Sequence, residues 1–159
     1  MNLKKQTVTL TALIVTMASA NMLFAHCEVP CGIYADQRRF ESMLEDHETI
    51  AKAIVNINDL AGKKDAQSVN QCVRWVNTKE DHATKVQKVI AQYFMTQRIK
   101  PGSDGYVKKL TAAHAVMVAA MKCKQSADAK TAGTLNNAIL DFYRAYEGKE
   151  PHFHKGHKH

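Results

Sequence analysis

No uninterrupted apolar run in this 159-residue chain is long enough to be an obvious membrane-spanning helix. We therefore expect no stable membrane insertion once the leader described below is gone. There is no β-rich run to compete with helix, and no internal repeat. A dense basic helix and an aromatic-interleaved basic patch are also missing, so nucleic acid is not an expected partner. Prolines number only three, Pro30, Pro101 and Pro151, and each stands outside the helical pattern. The length suffices for one domain with one sizeable core.

Residues 1–25 read as a signal peptide or pro-segment that is removed. Lys4 and Lys5 form a positive start, Val8 to Met17 a modest apolar stretch, and small residues follow. Ala18-Ser19-Ala20 offers one cleavage site; Ala25 offers another that exposes His26 as a free amine. The expectation is export to a periplasmic or extracellular space, with cytoplasmic residence after removal of a pro-segment as the alternative. The full chain carries a formal charge of +7. Removing residues 1–25 takes away two lysines and no acid, leaving about +5. A mild positive field suits a small anionic substrate.

From residue 36 onward the pattern is helical. Phe40, Met43, Leu44, His47, Ile50, Ala51, Ile54, Ile57, Leu60 and Ala61 recur at three- and four-residue steps, which predicts a helix over 36–61 ended by Gly62. A second helix is expected from Ser68 as N-cap to just before Pro101-Gly102, with Val69, Cys72, Val73, Val76, Ala83, Val86, Ile90, Tyr93 and Phe94 inward. Its polar middle, "NTKEDH", is expected to loosen it. The third, about 104–123, would bury Val107, Leu110, Ala113, His114, Met117 and Met121. The fourth, about 129–146, would bury Leu135, Ala138, Ile139, Phe142, Tyr143 and Tyr146. Short connections make this an all-α, antiparallel up-down four-helix bundle. The expected domain is 26–146, preceded by 1–25 and followed by a His-rich flexible tail, 147–159. The tail reads either as a loose metal scavenger or as a solvated terminus, and the latter is favoured for catalysis.

Two cysteines and a histidine crowd into "HCEVPCGIY", residues 26–34. If the chain is cut before His26, that residue offers an amine and an imidazole. Cys27 offers an amide nitrogen and a thiol, and Cys31 a second thiol beyond a spacer containing Pro30. Gly32 lets the chain turn behind them. Amine, amide and two thiolates can form a planar N2S2 set, with the imidazole approaching from above. Such donors suit Ni(II) or Cu(II) rather than tetrahedral zinc. Thiolates and an ionised amide also stabilise a trivalent state, which opens a one-electron cycle.

The stretch resembles the nickel hook of the nickel superoxide dismutase family, His-Cys-x-x-Pro-Cys-Gly-x-Tyr. His26, Cys27, Pro30, Cys31, Gly32 and Tyr34 all match, and the helical pattern up to about residue 146 is similar too. The resemblance implies dismutation of superoxide to dioxygen and hydrogen peroxide by a homohexamer with one nickel per subunit. It implies His26, Cys27 and Cys31 as metal ligands and a cis bond before Pro30. It also implies Tyr34 beside the open coordination face, ordering water and limiting the approach of anions. Tyr93, followed by Phe94, resembles the family's second active-site tyrosine. Glu41 falls near the carboxylate that orients the axial imidazole, with one residue missing between hook and first helix. Arg74 and Lys79 are candidates for the basic partner of Glu41. The longer leader and the His-rich tail depart from the family pattern.

Other readings stay open. Cys27 and Cys31 could form a disulfide in an oxidising compartment. An exported nickel or copper carrier would use the same hook without turnover. Cys72 and Cys123 read as buried inert thiols, with a bridge between the second and third helices as the alternative. His47 and His114 lie on apolar faces and read as core histidines, and His82 as solvated.

Overall fold

The computed structural model describes residues 36–153. They form α1 (Gln37–Leu60), α2 (Ala66–Lys88), α3 (Tyr106–Gln125) and α4 (Ala129–Glu147). α2 runs without a break into a π-helical segment, Val89–Arg98. Each helix packs on its sequence neighbour, and α1 closes the ring against α4. This is the expected four-helix bundle, and no strand occurs among the described residues. No helix among them is long and apolar enough to cross a membrane.

Local chemistry sets the boundaries. Asp65, not Ser68, caps α2: its carboxylate accepts the Ser68 N–H at 2.9 Å. Asp128 does the same for α4 through Lys130 N–H at 2.9 Å. Gly148, at φ 71°, ends α4 by donating its N–H to the Arg144 carbonyl at 3.0 Å. That left-handed turn is nearly free of strain only for glycine.

α1 buries the expected stripe: Phe40, Met43, Ile50 and Ile54 are fully enclosed. α4 does likewise through Leu135, Ile139, Phe142 and Tyr143. Phe40, Phe94, Phe142 and Tyr146 form one aromatic cluster, with Phe94 lying 4.9 Å from both Phe40 and Phe142. Each of the three fully buried phenylalanine rings contributes about 1.5–3 kcal/mol by burial alone.

α2 differs from expectation in two ways. Its polar middle is not loosened: Lys79 is buried there and donates to the Cys123 and Lys124 carbonyls at 2.6 Å each. Those carbonyls lie in the last turn of α3, where no intrahelical donor reaches them. His82 is paired rather than solvated, its Nδ1 lying 2.6 Å from Asp46. The departure from α geometry comes instead at Val89. Ile99 N–H bonds the Phe94 carbonyl, five residues back, at 2.8 Å. The first half of α2 also stays outside the core of the single chain, with Val69, Val73 and Val76 exposed.

α3 is rotated from the expected face. Ala113, Val116, Ala119, Ala120 and Cys123 are buried, whereas Val107 is 72% exposed and His114 and Met121 are also exposed. The helix is small or apolar on nearly every side, so periodicity does not select a face. Packing chooses the alanines, which let α3 approach its neighbours closely. Cys72 and Cys123 are both free thiols, so the bridge is not formed. His47 is half-buried, as a core histidine should be, and burial pulls its pKa down against Glu48 and an Ala132 backbone hydrogen bond.

Candidate active site

An up-down bundle of four helices returns its chain to the end where it began. The start of α1, the end of the π-helical segment and the end of α4 therefore meet at one end of the molecule. Asp36 stands there, immediately before α1 and two residues after the "HCEVPCGIY" stretch. Its side chain does not cap α1. It turns instead into a cluster drawn from three elements.

Arg98 donates to Asp36 Oδ2 through Nε at 3.0 Å and Nη2 at 2.7 Å. Tyr146 O–H donates to the same oxygen at 2.5 Å, and Tyr93 O–H donates to Oδ1. Arg98 Nε also reaches the Tyr146 oxygen at 3.1 Å. Asp36 is 6% exposed and Tyr93 fully buried, so this is a charge-assisted network inside a low-dielectric pocket. The π-helical segment makes it possible. Its wider turn aligns residues about five apart, and Tyr93 and Arg98 are five apart.

Electrostatics follow from that arrangement. Burial pushes the Asp36 carboxyl upward, but hydrogen bonds from Tyr146, Tyr93 and Arg98 outweigh it and hold the group below its ordinary range. Burial and the neighbouring Asp36 charge push the Tyr146 phenol well up, so it remains a donor. Arg98 also loses to burial, yet its bonds to Asp36 and Tyr146 raise it further.

The expected site residues divide into two groups. His26, Cys27, Cys31 and Tyr34 lie outside the described residues. Tyr93 and Glu41 are described. Tyr93 carries the Asp36 hydrogen bond, and the Arg39 guanidinium lies 4.8 Å from its ring centroid. Glu41 is half-buried and accepts from Gln37 Nε2 at 3.3 Å. Gln37 in turn accepts from Tyr143 O–H at 3.2 Å.

Neither candidate basic partner stands at this end. Lys79 is spent on the last turn of α3, at the opposite end, and Arg74 precedes it on α2 by more than a turn. The basic groups at the start of α1 include Arg38 and Arg39 of its first turn and Arg98, which bonds Asp36. Sequence reasoning missed Asp36, Arg98 and Tyr146. A signal was available: an acidic residue just after the Cys-containing stretch, and an arginine just before Pro101.

Among the described residues, no group of three or more His, Cys, Asp or Glu side chains could hold a metal. If the chain is cut before His26, residues 26–31 would offer an amine, an imidazole, an amide and two thiolates, a donor set that fits nickel chemically. Tyr93 and the Asp36 cluster lie where that segment joins the bundle.

No curated protein and no solved structure matches the chain. The family model for nickel-containing superoxide dismutase matches residues 21–150, a span that holds the Cys-containing stretch, Asp36 and all four helices. With most of its length matched, the chain belongs to the nickel-containing superoxide dismutase family, and nickel is its cofactor.

Proposed function

We propose that this superoxide dismutase works by one-electron cycling at a nickel held by His26, Cys27 and Cys31, after removal of residues 1–25. One observation carries the proposal. The donor-rich stretch falls inside the family-matched span and joins the bundle directly at the buried Asp36 cluster. Bound nickel supplies a Ni(II)/Ni(III) couple, so that one superoxide is oxidised to dioxygen and a second is reduced, with two protons, to hydrogen peroxide.

The chain's own residues then have separate tasks. Cys27 would supply its amide nitrogen and thiolate, Cys31 its thiolate, and His26 its amine and imidazole. Asp36 ties the segment to the bundle through Arg98, Tyr146 and Tyr93. Glu41, on the first turns of α1, is a carboxylate suited to orient the His26 ring. Tyr34 acts as a gate that orders water and keeps larger anions off the metal, and Tyr93 is the second tyrosine of the site. The formal positive charge favours approach of an anion.

Assembly as a homohexamer is part of the proposal. Val55, Val69, Val73 and Val76 on α1 and α2 are exposed in the single chain, and burial between subunits would remove them from water. Export, guided by the leader, is the proposed location.

The test is turnover by purified protein with metal content measured alongside. Nickel-loaded protein beginning at His26 should consume superoxide in proportion to bound nickel. Stoichiometric nickel or copper binding without turnover would identify a carrier instead. Active, nickel-loaded protein beginning at Asn21 would refute the requirement for a free His26 amine.

A further inference from the structure

We propose that Gln37 is a positioning residue for the Glu41 carboxylate, and that the segment following α4, residues 148–153, holds Gln37 in that setting. The task of Glu41 at the metal rests on the function proposed above; its coupling to the C-terminal segment does not.

The first turn of α1 sets the pair. Gln37 opens the helix and Glu41 follows four residues later, so the two side chains share one face. Gln37 Nε2 donates to Glu41 Oε1 at 3.3 Å and to the His152 carbonyl at 3.2 Å. Gln37 Oε1 accepts from the Tyr143 hydroxyl at 3.2 Å. A carboxamide nitrogen carries two hydrogens, and both are used. Turning the group over would set its oxygen against a carboxylate and a carbonyl, so the network fixes which way the amide faces. A glutamate at position 37 would bring two carboxylates together, which like charges oppose.

The C-terminal segment is fastened at more than one point. Gly148 turns the chain in a left-handed conformation at the end of α4. The Phe153 ring then packs edge-on against Tyr143, 5.0 Å between centroids, at the rim of the hydrophobic core. Pro151 stiffens the chain between them and lowers the entropy lost in ordering it. Arg144 Nε donates to Glu150 at 2.9 Å, but that pair is exposed and adds little. Phe153 is therefore the main anchor, and the His152 carbonyl is the contact that it delivers. Both bear on Gln37, one through Tyr143 and the other directly. Gln37 carries their effect to Glu41.

The choice of an amide has a chemical reason. A half-buried glutamate near a helix start has several rotamers open to it, and a carboxylate that orients an imidazole needs one. A lysine or arginine could also hold Glu41, but its charge would compete for the carboxylate. A neutral N–H donor fixes the rotamer and leaves the negative charge to act on the imidazole.

The test uses the whole protein, first without metal. The Glu41 carboxyl carbon and the Gln37 carboxamide are followed by NMR in the parent, Gln37→Met and Phe153→Ala. Methionine keeps the length of the side chain but has no N–H. Circular dichroism should stay helical in both variants. Both should move the Glu41 signal, and Phe153→Ala should speed hydrogen exchange of the Gln37 carboxamide severalfold. An unmoved Glu41 signal in Gln37→Met overturns the positioning role. An unmoved signal in Phe153→Ala overturns the part given to the C-terminal segment. The nickel midpoint potential is then compared in loaded parent, Gln37→Met, Glu41→Gln and the double variant. Gln37→Met should shift the potential in the parent background and add nothing when Glu41→Gln is present. A shift that persists in the double variant would mark a merely structural effect and overturn the proposal. An unchanged potential in Glu41→Gln, with the metal-free coupling intact, would instead refute the task given to Glu41 at the metal.

Discussion

Tyr146 donates a hydrogen bond of 2.5 Å to Asp36 across a sequence separation of 110 residues. It fastens the end of α4 to the start of α1, two residues beyond the Cys-containing stretch in sequence. Arg98 and Tyr93 complete the same carboxylate's coordination from a third element. The network therefore ties the start of α1 to α4 and to the π-helical segment at once.

Replacing Asp36 tests that double role. Asp36→Ala removes the carboxylate that accepts from the Tyr93 and Tyr146 hydroxyls and from the Arg98 guanidinium. Loss of such partners costs about 1–3 kcal/mol, and Arg98, about one-third exposed, recovers some by hydration. We expect the urea midpoint to fall with unchanged slope. Asp36→Asn keeps an acceptor for the tyrosines but loses the ion pair, so it should fall between parent and alanine. An asparagine variant as stable as the parent would show that the charge is immaterial.

Acid should weaken the protein in two windows. The folded Asp36 pKa lies below its ordinary 3.8, so its contribution is complete above that value. It is lost as pH falls through the lower folded value, where the native carboxylate takes up its proton. His47 is also shifted down, from 6.5, because burial disfavours its charged form. Below 6.5 the unfolded chain binds the proton more readily, so stability declines as pH falls from there to the folded value. Urea midpoints across the acid range should show both slopes. Asp36→Asn should make the lower one shallower, with Asp65 still contributing there, and His47→Gln should flatten the upper.

Cys27→Ser and Cys31→Ser should each remove nickel and dismutation while leaving the helices intact. Serine is a hard, weakly acidic donor and cannot replace a thiolate for this metal. The bundle core described from Phe40 to Tyr143 uses neither residue. Circular dichroism should be unchanged while activity drops to background. Residual activity in either variant would contradict the ligand assignment.

The two tyrosines should behave differently. Tyr93→Phe keeps the ring under Arg39 but removes a donor to Asp36, costing about 1 kcal/mol of stability. Tyr34→Phe should leave stability and thiolate–nickel absorption intact and alter saturation or peroxide inhibition instead. Loss of nickel from Tyr34→Phe would mean that the phenol holds the hook together rather than gating it.

Much was legible in the order of residues alone. The donors proposed in residues 26–31 are near neighbours in sequence, so a ligand set could be proposed there without reference to the fold. The stripes of α1 and α4 could be read because large apolar residues alternate there with charged ones at helical period. α3 could not be read so, since alanine, valine and methionine surround it, and close packing rather than periodicity decided which side is buried. The valines of early α2 looked inward by pattern, yet the single chain leaves them exposed. The Asp36 cluster was beyond sequence for a different reason. Its members stand at positions 36, 93, 98 and 146 and meet only because an even number of antiparallel helices returns to its starting end, and because a π-helical turn aligns residues five apart. Local spacing determines what a short segment can bind; tertiary packing decides what that segment is fastened to.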